Sequence, residues 1–434
     1  MPICLCPISG LEPLDKSLSV NTAGIHKVCF IGAGTMGCFN ALMAAVAGYK
    51  AIIFDISTEA LDANPDVLLE MAGFLVAEGF FSRQNIDNAL VNISTEVDLA
   101  IAVAGADLIS ESVSERLEIK RSVHQKLDQL CDANVIITTN TSSLLVSEIE
   151  QLVVNKTRFA AMHSHLGSTL IDIVGGSETS AENISRLKHY VLSIGAFPLL
   201  LKREYPGYVL NSIIGPLLTV SKMLVIEGVT TKENIDASWM VANNLTIGPF
   251  GLMDLFGLNV IFDSWQEPKA EVEHLQNKMV NFLSPYIEKN WLGVKTGAGF
   301  YRYPEPSYQA KDFLTSQGDL TFPGQVLMNV LIANAVLLAA EDVAHPFDID
   351  RAWMVSMQVT KGPFGELDAI GFDTFLEQFD GFVALGMFDA QLSEKLRQFL
   401  QPYIDRNQLG EKVSDGFYQY PDPLYLTADF LTPS

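Results

Sequence analysis

An apolar run that breaks into three closely spaced glycines and resumes as a helix leaves a chain few ways to fold. From Lys27 to Asp55 the sequence reads KVCFIGAGTMGCFNALMAAVAGYKAIIFD. The order is strand, glycine turn, helix, strand, acid. Gly32 takes the chain sharply off the first strand, Gly34 lets the backbone approach a pyrophosphate, and Gly37 lets the helix pack against the sheet. The phosphates would rest on the helix N-terminus, at Thr35 and Met36, where amide groups lack intrahelical partners. Asp55 closes the second apolar run, twenty-three residues after Gly32. A carboxylate there accepts from both ribose hydroxyls and repels a 2′-phosphate, so the expected cofactor is NAD rather than NADP. A purely structural glycine turn is the competing reading. It does not account for the strand, the helix and the acid all standing in their places.

At 434 residues the chain has room for two or three domains. Its apolar content of 48% is that of a globular protein. A net charge of −23 repels phosphates at long range, so neither nucleic acid nor an anionic membrane is an expected partner. No basic-then-apolar leader opens the sequence, and no apolar stretch is expected to reach the roughly 20 residues that span a bilayer. A cytoplasmic enzyme is the expectation. Cys4, Cys6, Cys29, Cys38 and Cys131 are scattered without histidines at ligand spacing, so no metal site is expected. Cys29 and Cys38 read as small core residues. Residues 1–24 read as a poorly ordered extension.

Beyond the first unit, apolar runs at Leu108 to Ser110, Val135 to Thr139, Phe159 to Met162, Leu170 to Val174 and Phe197 to Leu201 alternate with helical stretches such as Leu117 to Leu130. This is the pattern of a doubly wound, mostly parallel sheet, here predicted over 25–204. From Pro206 onward the apolar spacing is helical. That half repeats itself. IDASWMVANNLTIGPFGLMDLFGLN from Ile235 returns as IDRAWMVSMQVTKGPFGELDAIGFD from Ile349, and GVKTGAGFYRYPEP from Gly293 returns as GEKVSDGFYQYPDP from Gly410. A single recurrence with a period of roughly 115 residues means two copies of one all-α domain, expected at 205–304 and 321–434 with a linker at 305–320. Trp239 and Trp353 hold matching places and are expected in the two cores.

These segments together resemble a family. The glycine motif, ESVSERLEIK from Glu111, NTSSL from Asn140, a histidine soon after RFAAM, PGYVLN ending at Asn211, and GPFGLMDLFGL followed by GVKTGAGFYRY are similar, in that order, to the L-3-hydroxyacyl-CoA dehydrogenases. The resemblance runs from Lys27 nearly to the end. It implies an α/β Rossmann-type N-terminal domain followed by two homologous all-α domains (6-phosphogluconate dehydrogenase C-terminal-like), as in the dehydrogenase portion of the multifunctional β-oxidation enzymes. The implied reaction interconverts a 3-hydroxyacyl and a 3-ketoacyl thioester, with hydride passing between the substrate and the nicotinamide. A hydroxyl proton must leave with the hydride, which calls for a base titrating near neutrality, and histidine supplies it.

By its place after RFAAM the resemblance implies His163 as that base. Its carboxylate partner is implied at Asp172, in LIDIV, once a gap is allowed for HSHLGST being shorter than the family's usual segment. Without the gap the position falls on Gly175, which has no side chain to act. Such a partner fixes the imidazole tautomer and stabilises the imidazolium. His165 is the rival base, because residues two apart on a strand face the same side. His26, His124, His189, His274 and His345 sit in no motif and read as surface or boundary residues. Ser142 and Asn211 match residues that hydrogen-bond the reacting oxygen and place the thioester. The alternative for the NTSS serines, Ser142 and Ser143, is to cap a helix. Glu115, Lys120, Asn140 and Lys295 match positions near the cofactor. An exposed, solvated lysine is the equally weighted alternative for Lys295. Met328 stands in the second copy where the first has Asn211, so that copy reads as structural.

Two departures concern substrate. The asparagine of the family's HFFNP segment has no counterpart, and Leu166 or Gly167 occupies its neighbourhood. The stretch after Asp55, where the family carries a Ser and a Lys for the CoA phosphates, has no Lys or Arg from Ile56 through Phe81, and Met71 and Glu78 fall near those places. A carboxylate beside a phosphate repels it. The substrate is thus expected to be acyl-CoA gripped differently or an acyl-carrier-protein thioester. A free hydroxy acid is the second reading, and a non-catalytic protein that keeps the NAD fold is the third. Two helical copies in one chain are expected to pair with each other and leave a monomer.

Overall fold

The computed structural model describes residues 23–77, 79–266 and 273–432. Most of the expected extension 1–24, with Cys4 and Cys6, lies outside the described residues; Ala23 lies within them and is buried. The described residues group into two compact units, one within 23–210, 341–360 and 425–432 and the other within 211–266, 273–340 and 361–424. These units cut across the boundaries expected from the repeat, because part of the second copy folds with the sheet.

In the first unit eight strands form one sheet: β1 (Lys27–Ile31), β2 (Lys50–Phe54), β3 (Ile93–Glu96), β4 (Leu108–Glu111), β5 (Ile136–Thr139), β6 (Phe159–Ser164), β7 (Leu170–Gly175) and β8 (Phe197–Leu200). Their order is β3-β2-β1-β4-β5-β6-β7-β8, with a change of direction at β1 that opens a crevice for a ligand beyond the strand ends. All neighbours are parallel except β6 and β7. That antiparallel pair sets His163 directly opposite Asp172. The central strands are buried on both faces, as a parallel sheet covered by helices requires. β3 escaped the sequence reading because ISTE is polar and short, and it forms an edge. The helix Leu117–Leu130 has its expected bounds.

The helix Pro346–Met357 of the second copy lies against β7 and β8 in this unit. Its counterpart in the first copy, Lys232–Asn243, lies in the other unit and packs on Thr321–Ala340. The same apolar face therefore serves two surroundings, and Trp239 and Trp353 are both buried.

The repeated words of the second unit are folding devices. Gly248 begins the helix Pro249–Phe256, and Asp236 accepts the amide protons of Phe250 (2.8 Å) and Gly251 (3.0 Å). This caps the helix from a neighbouring one, and a Cβ at Gly248 would stand 2.3 Å from the Asp236 Cα. Asp254 then accepts from the amides of Phe300 and Tyr301, both at 2.8 Å, and from the Tyr303 hydroxyl at 3.1 Å. Asp368 does the same in the second copy with Phe417, Tyr418 and Tyr420. Burial pushes Asp236 up to about 7 and Asp368 up to about 6, with the amide hydrogen bonds working the other way.

One composition-based expectation is corrected here. The helix Thr321–Ala340 is 20 residues long and apolar enough to cross a membrane by length and composition. It is instead a core helix, packed on Lys232–Asn243, Pro363–Ile370 and Ala390–Asp405. Its Gly324 and two asparagines hid its length from a reading that looked for an unbroken apolar run.

Candidate active site

The nucleotide end of the site is built by β1, the helix Thr35–Val46 and β2. Gly32 has a φ of 110°, and a Cβ there would stand 2.7 Å from the Ser112 carbonyl oxygen. At Gly37 a Cβ would stand 1.9 Å from the Gly32 oxygen, so the helix can begin this close to the strand only with glycine. Gly34 differs, because a Cβ there would meet no described atom within 4 Å. It is the N-cap of the helix, exposed beside Thr35, and no described side chain caps it. With no capping side chain and open space around Gly34, the start of this helix has the setting a pyrophosphate needs. Asp55 accepts from Ala33 N (2.9 Å) and Ser57 N (2.9 Å), which ties the end of β2 to the glycine loop and keeps lone pairs for ribose hydroxyls. These residues fit NAD. Gly34→Ala is therefore expected to fold normally, with unfolding free energy within about 0.5 kcal/mol of the parent, and to bind NADH about tenfold more weakly. Chemical unfolding and fluorescence titration check the two halves separately.

Beyond β4 and β5 the chain makes a second constellation. Glu115 accepts from Thr141 Oγ1 (2.5 Å), Ser142 N (2.8 Å) and Ser143 N (3.0 Å), and so shapes the loop that follows β5. Neither serine caps a helix, since the next one, Val146–Ile149, begins after Leu145. Asn140 donates to Ser112 Oγ (3.1 Å) and accepts from Ser164 N (3.2 Å), joining β4, β5 and β6 at their ends.

Lys120 is wholly buried, and its Nζ is taken up by Glu111 Oε1 (2.8 Å), the Asn140 carbonyl (2.9 Å) and Glu115 Oε2 (3.5 Å). An ammonium so engaged holds the loop from beneath. His124 is likewise no surface residue. It is buried, with Nε2 2.8 Å from Glu111 Oε2. Burial raises the Glu111 carboxyl, but the His124 hydrogen bond and the Lys120 charge outweigh it and hold Glu111 at about 2. His124 lies outside the motifs, and its only signal in the sequence is its place one helical turn after Lys120 of ESVSERLEIK.

Ser142, His163 and Asp172 form one chain of hydrogen bonds. Ser142 Oγ lies 3.2 Å from His163 Nε2, and His163 Nδ1 lies 3.0 Å from Asp172 Oδ2. Asp is one methylene shorter than Glu, and direct opposition on the β6–β7 ladder makes up the reach. Gly175 faces Ala160, three pairs further on. His163 is 3% exposed and stacks on Tyr208 with ring centroids 4.7 Å apart. Ser142 is exposed, so the serine end of the chain is open. Burial pushes the His163 imidazole below its ordinary value, against the raising influence of Asp172. Burial acts to raise Asp172, yet the hydrogen bonds from two imidazoles hold it below the usual carboxylate range. The second of these is His165, whose Nε2 is 2.9 Å from the same Oδ2. The two histidines and Asp172 offer ligand atoms within 4.8 Å of one another, and both imidazoles already bond one oxygen of the carboxylate.

Asn211 and Lys295 belong to the other compact unit. Asn211 is exposed on the first turn of the helix Leu210–Ile226. Lys295 is exposed, with Nζ 2.6 Å from Asn259 Oδ1.

A doubly wound sheet with a glycine cradle, a ribose acid and a serine–histidine–aspartate chain defines a NAD-dependent dehydrogenase. Residues 27–204 match the family model for the 3-hydroxyacyl-CoA dehydrogenase NAD binding domain, and residues 207–303 and 322–420 match that for the 3-hydroxyacyl-CoA dehydrogenase C-terminal domain. The chain belongs to the 3-hydroxyacyl-CoA dehydrogenase family. Among its relatives, the mitochondrial hydroxyacyl-coenzyme A dehydrogenase of Homo sapiens is 29% identical over 300 residues, covering 66% of this chain and 94% of that protein. The 3-hydroxyadipyl-CoA dehydrogenase of Escherichia coli is 30% identical over 288 residues, covering 64% of this chain and 59% of the relative. A solved diketoreductase is 32% identical with a TM-score of 0.61, covering 64% of this chain and 99% of its own. The 3-hydroxybutyryl-CoA dehydrogenase structure from Escherichia coli shares the fold at a TM-score of 0.68 and 22% identity, over 88% of this chain and 95% of that one.

Proposed function

We propose that this enzyme interconverts a 3-hydroxyacyl thioester and the corresponding 3-ketoacyl thioester, with His163 as the proton-transfer group. The observation that carries this is the Ser142–His163–Asp172 chain of bonds in a member of this family. NAD, held at Gly32, Gly34, Gly37 and Asp55, would supply the hydride acceptor. His163 Nε2 takes the hydroxyl proton, and Asp172 stabilises the imidazolium through Nδ1–H. Ser142 Oγ–H donates to the same substrate oxygen as charge develops on it. Asn211 and Lys295 keep the roles that their family matches imply, thioester placement and cofactor contact.

A second reading, a free hydroxy acid or dicarbonyl substrate, is favoured by the helix Thr58–Ala77. It carries Glu59, Asp62, Asp66 and Glu70, all exposed, and no basic residue. Glu78, the other acid near the expected CoA place, lies outside the described residues. The similarity to a diketoreductase points the same way. Oxidation of NADH is to be followed with acetoacetyl-CoA, with an acetoacetyl carrier protein and with free acetoacetate. Turnover with CoA supports the first reading. Turnover on the carrier protein alone makes the acidic helix a substrate switch, and turnover on the free acid alone replaces the first reading by the second. A monomer is part of this proposal, because Thr321–Ala340 of the second copy packs on Lys232–Asn243 of the first and so meets the need for a partner internally. Sedimentation as a stable dimer would overturn it.

A further inference from the structure

The aspartate behind the base has two imidazoles to serve and uses one oxygen for both. His163 Nδ1 and His165 Nε2 lie 3.0 and 2.9 Å from Asp172 Oδ2. Asp172 Oδ1 is buried and has no described hydrogen-bond partner. The rings of His163 and His165 meet edge to face, 4.3 Å between centroids. His165 follows the last residue of β6 and is half-buried, whereas Asp172 is fully buried.

We propose that His165 is a positioning residue for the reaction, whose Nε2–H holds the Asp172 carboxylate and divides its hydrogen-bonding capacity with His163. This deepens the proposed function and rests on the assignment of His163 as the proton-transfer group. An oxygen that accepts two N–H bonds holds each less strongly than it would hold one. The pull of Asp172 on the His163 Nδ1 proton is therefore weaker than that of an undivided carboxylate, and the imidazolium at His163 is less stabilised. In the direction of alcohol oxidation this keeps His163 free to accept a proton at lower pH. The other groups that act on this pair come from every neighbouring element. Glu115, on the loop before the helix Leu117–Leu130, raises the His163 value, and Tyr208 stacks on the ring. Burial, Asp172, Glu115 and Glu204 keep that Tyr208 phenol protonated. His165 donates to none of these; its charge lowers the His163 value directly and its hydrogen bond acts through Asp172, two effects that the glutamine variant separates.

The test is a titration of His163 by NMR in the unliganded enzyme, in the parent, in His165→Phe and in His165→Gln. Phenylalanine keeps a ring and removes the donor, and glutamine returns an N–H without a titrating group. The His163 midpoint is expected to rise by about one pH unit in His165→Phe and to fall back toward the parent in His165→Gln. The acidic limb of kcat/KM for alcohol oxidation is expected to move with it, while NADH affinity stays the same. A His163 midpoint that is unchanged or lower in His165→Phe overturns the proposal. So does a His165→Gln that behaves as the phenylalanine variant does. Because the titration needs no substrate, it stands apart from the functional reading. That reading fails instead if His163→Gln keeps full turnover, and loss of turnover in both His165 variants while His163→Gln keeps it makes His165 the base. Thermal unfolding of each variant identifies any that fails to fold, and His165→Asn is then the second donor-bearing replacement for the same titration.

Discussion

Replacing His163 by alanine is expected to lower turnover about a thousandfold, the range typical of losing a positioned general base, with NADH affinity within about twofold of the parent. The reasoning is geometric. Nε2 faces Ser142 Oγ at 3.2 Å and Nδ1 is tied to Asp172 at 3.0 Å, so the ring is fixed at both ends. The residues proposed for the nucleotide cradle, Gly34, Thr35, Met36 and Asp55, have no described bond to His163. Turnover should fall without a matching change in cofactor binding. The pH dependence has a definite sign. With His163 as the proposed base, oxidation needs a neutral imidazole, a form that burial already favours, so activity toward the alcohol is expected to persist below the usual histidine range. Reduction needs the imidazolium and declines as pH rises. Steady-state kinetics in both directions, with a fluorescence titration of NADH, checks this. A variant retaining more than about a tenth of parent turnover would remove His163 from the chemistry.

The second large effect concerns stability. Lys222, on the helix Leu210–Ile226, is buried with no described ion-pair partner; its described hydrogen bond is to Met253 Sδ at 3.6 Å. Burial pushes the amine down to about 7. Between that value and about 10.4 the unfolded chain holds a proton that the folded chain has released, so stability rises with pH across this window. Below it both states are charged, and the folded protein bears the full cost of burying the ammonium. Lys222→Met keeps the length of the side chain and removes the charge. It is expected to stabilise the fold by about 2–4 kcal/mol at pH 7, with the gain shrinking toward zero as pH approaches about 10. Urea unfolding of parent and variant at two pH values measures it. A variant that is less stable than the parent, or a gain that does not depend on pH, would show that Lys222 has a partner or a task of its own.

How much of this was legible beforehand varies with the range of the interaction. The glycine cradle is local. Gly32, Gly34 and Gly37 act within six residues of one another and on backbone atoms, so their spacing alone announces a strand, a turn and a helix that can receive phosphates. The helix Leu117–Leu130 is local too. The repeat was visible because Asp236, Asp254 and Asp368 must each meet fixed backbone amides, which keeps IDxxW, GPFG and GFY together in both copies.

Sequence by itself thus determined the nucleotide fold, the doubling of the helical part and the residue types of a histidine-based oxidoreductase, because these follow from periodicity, steric permission and chemistry at short range. Only the tertiary structure decided which residues meet. The antiparallel β6–β7 pairing chose Asp172 over Gly175 and gave it His165 as well as His163. Burial turned His124 from a surface residue into a support for Glu111, and set Lys120 on the same carboxylate beneath the serine loop. Packing made the apolar Thr321–Ala340 a core helix. Each of these depends on residues far apart in the chain, and the cost of leaving a buried charge or an apolar face unmatched is set by whatever the fold brings beside it.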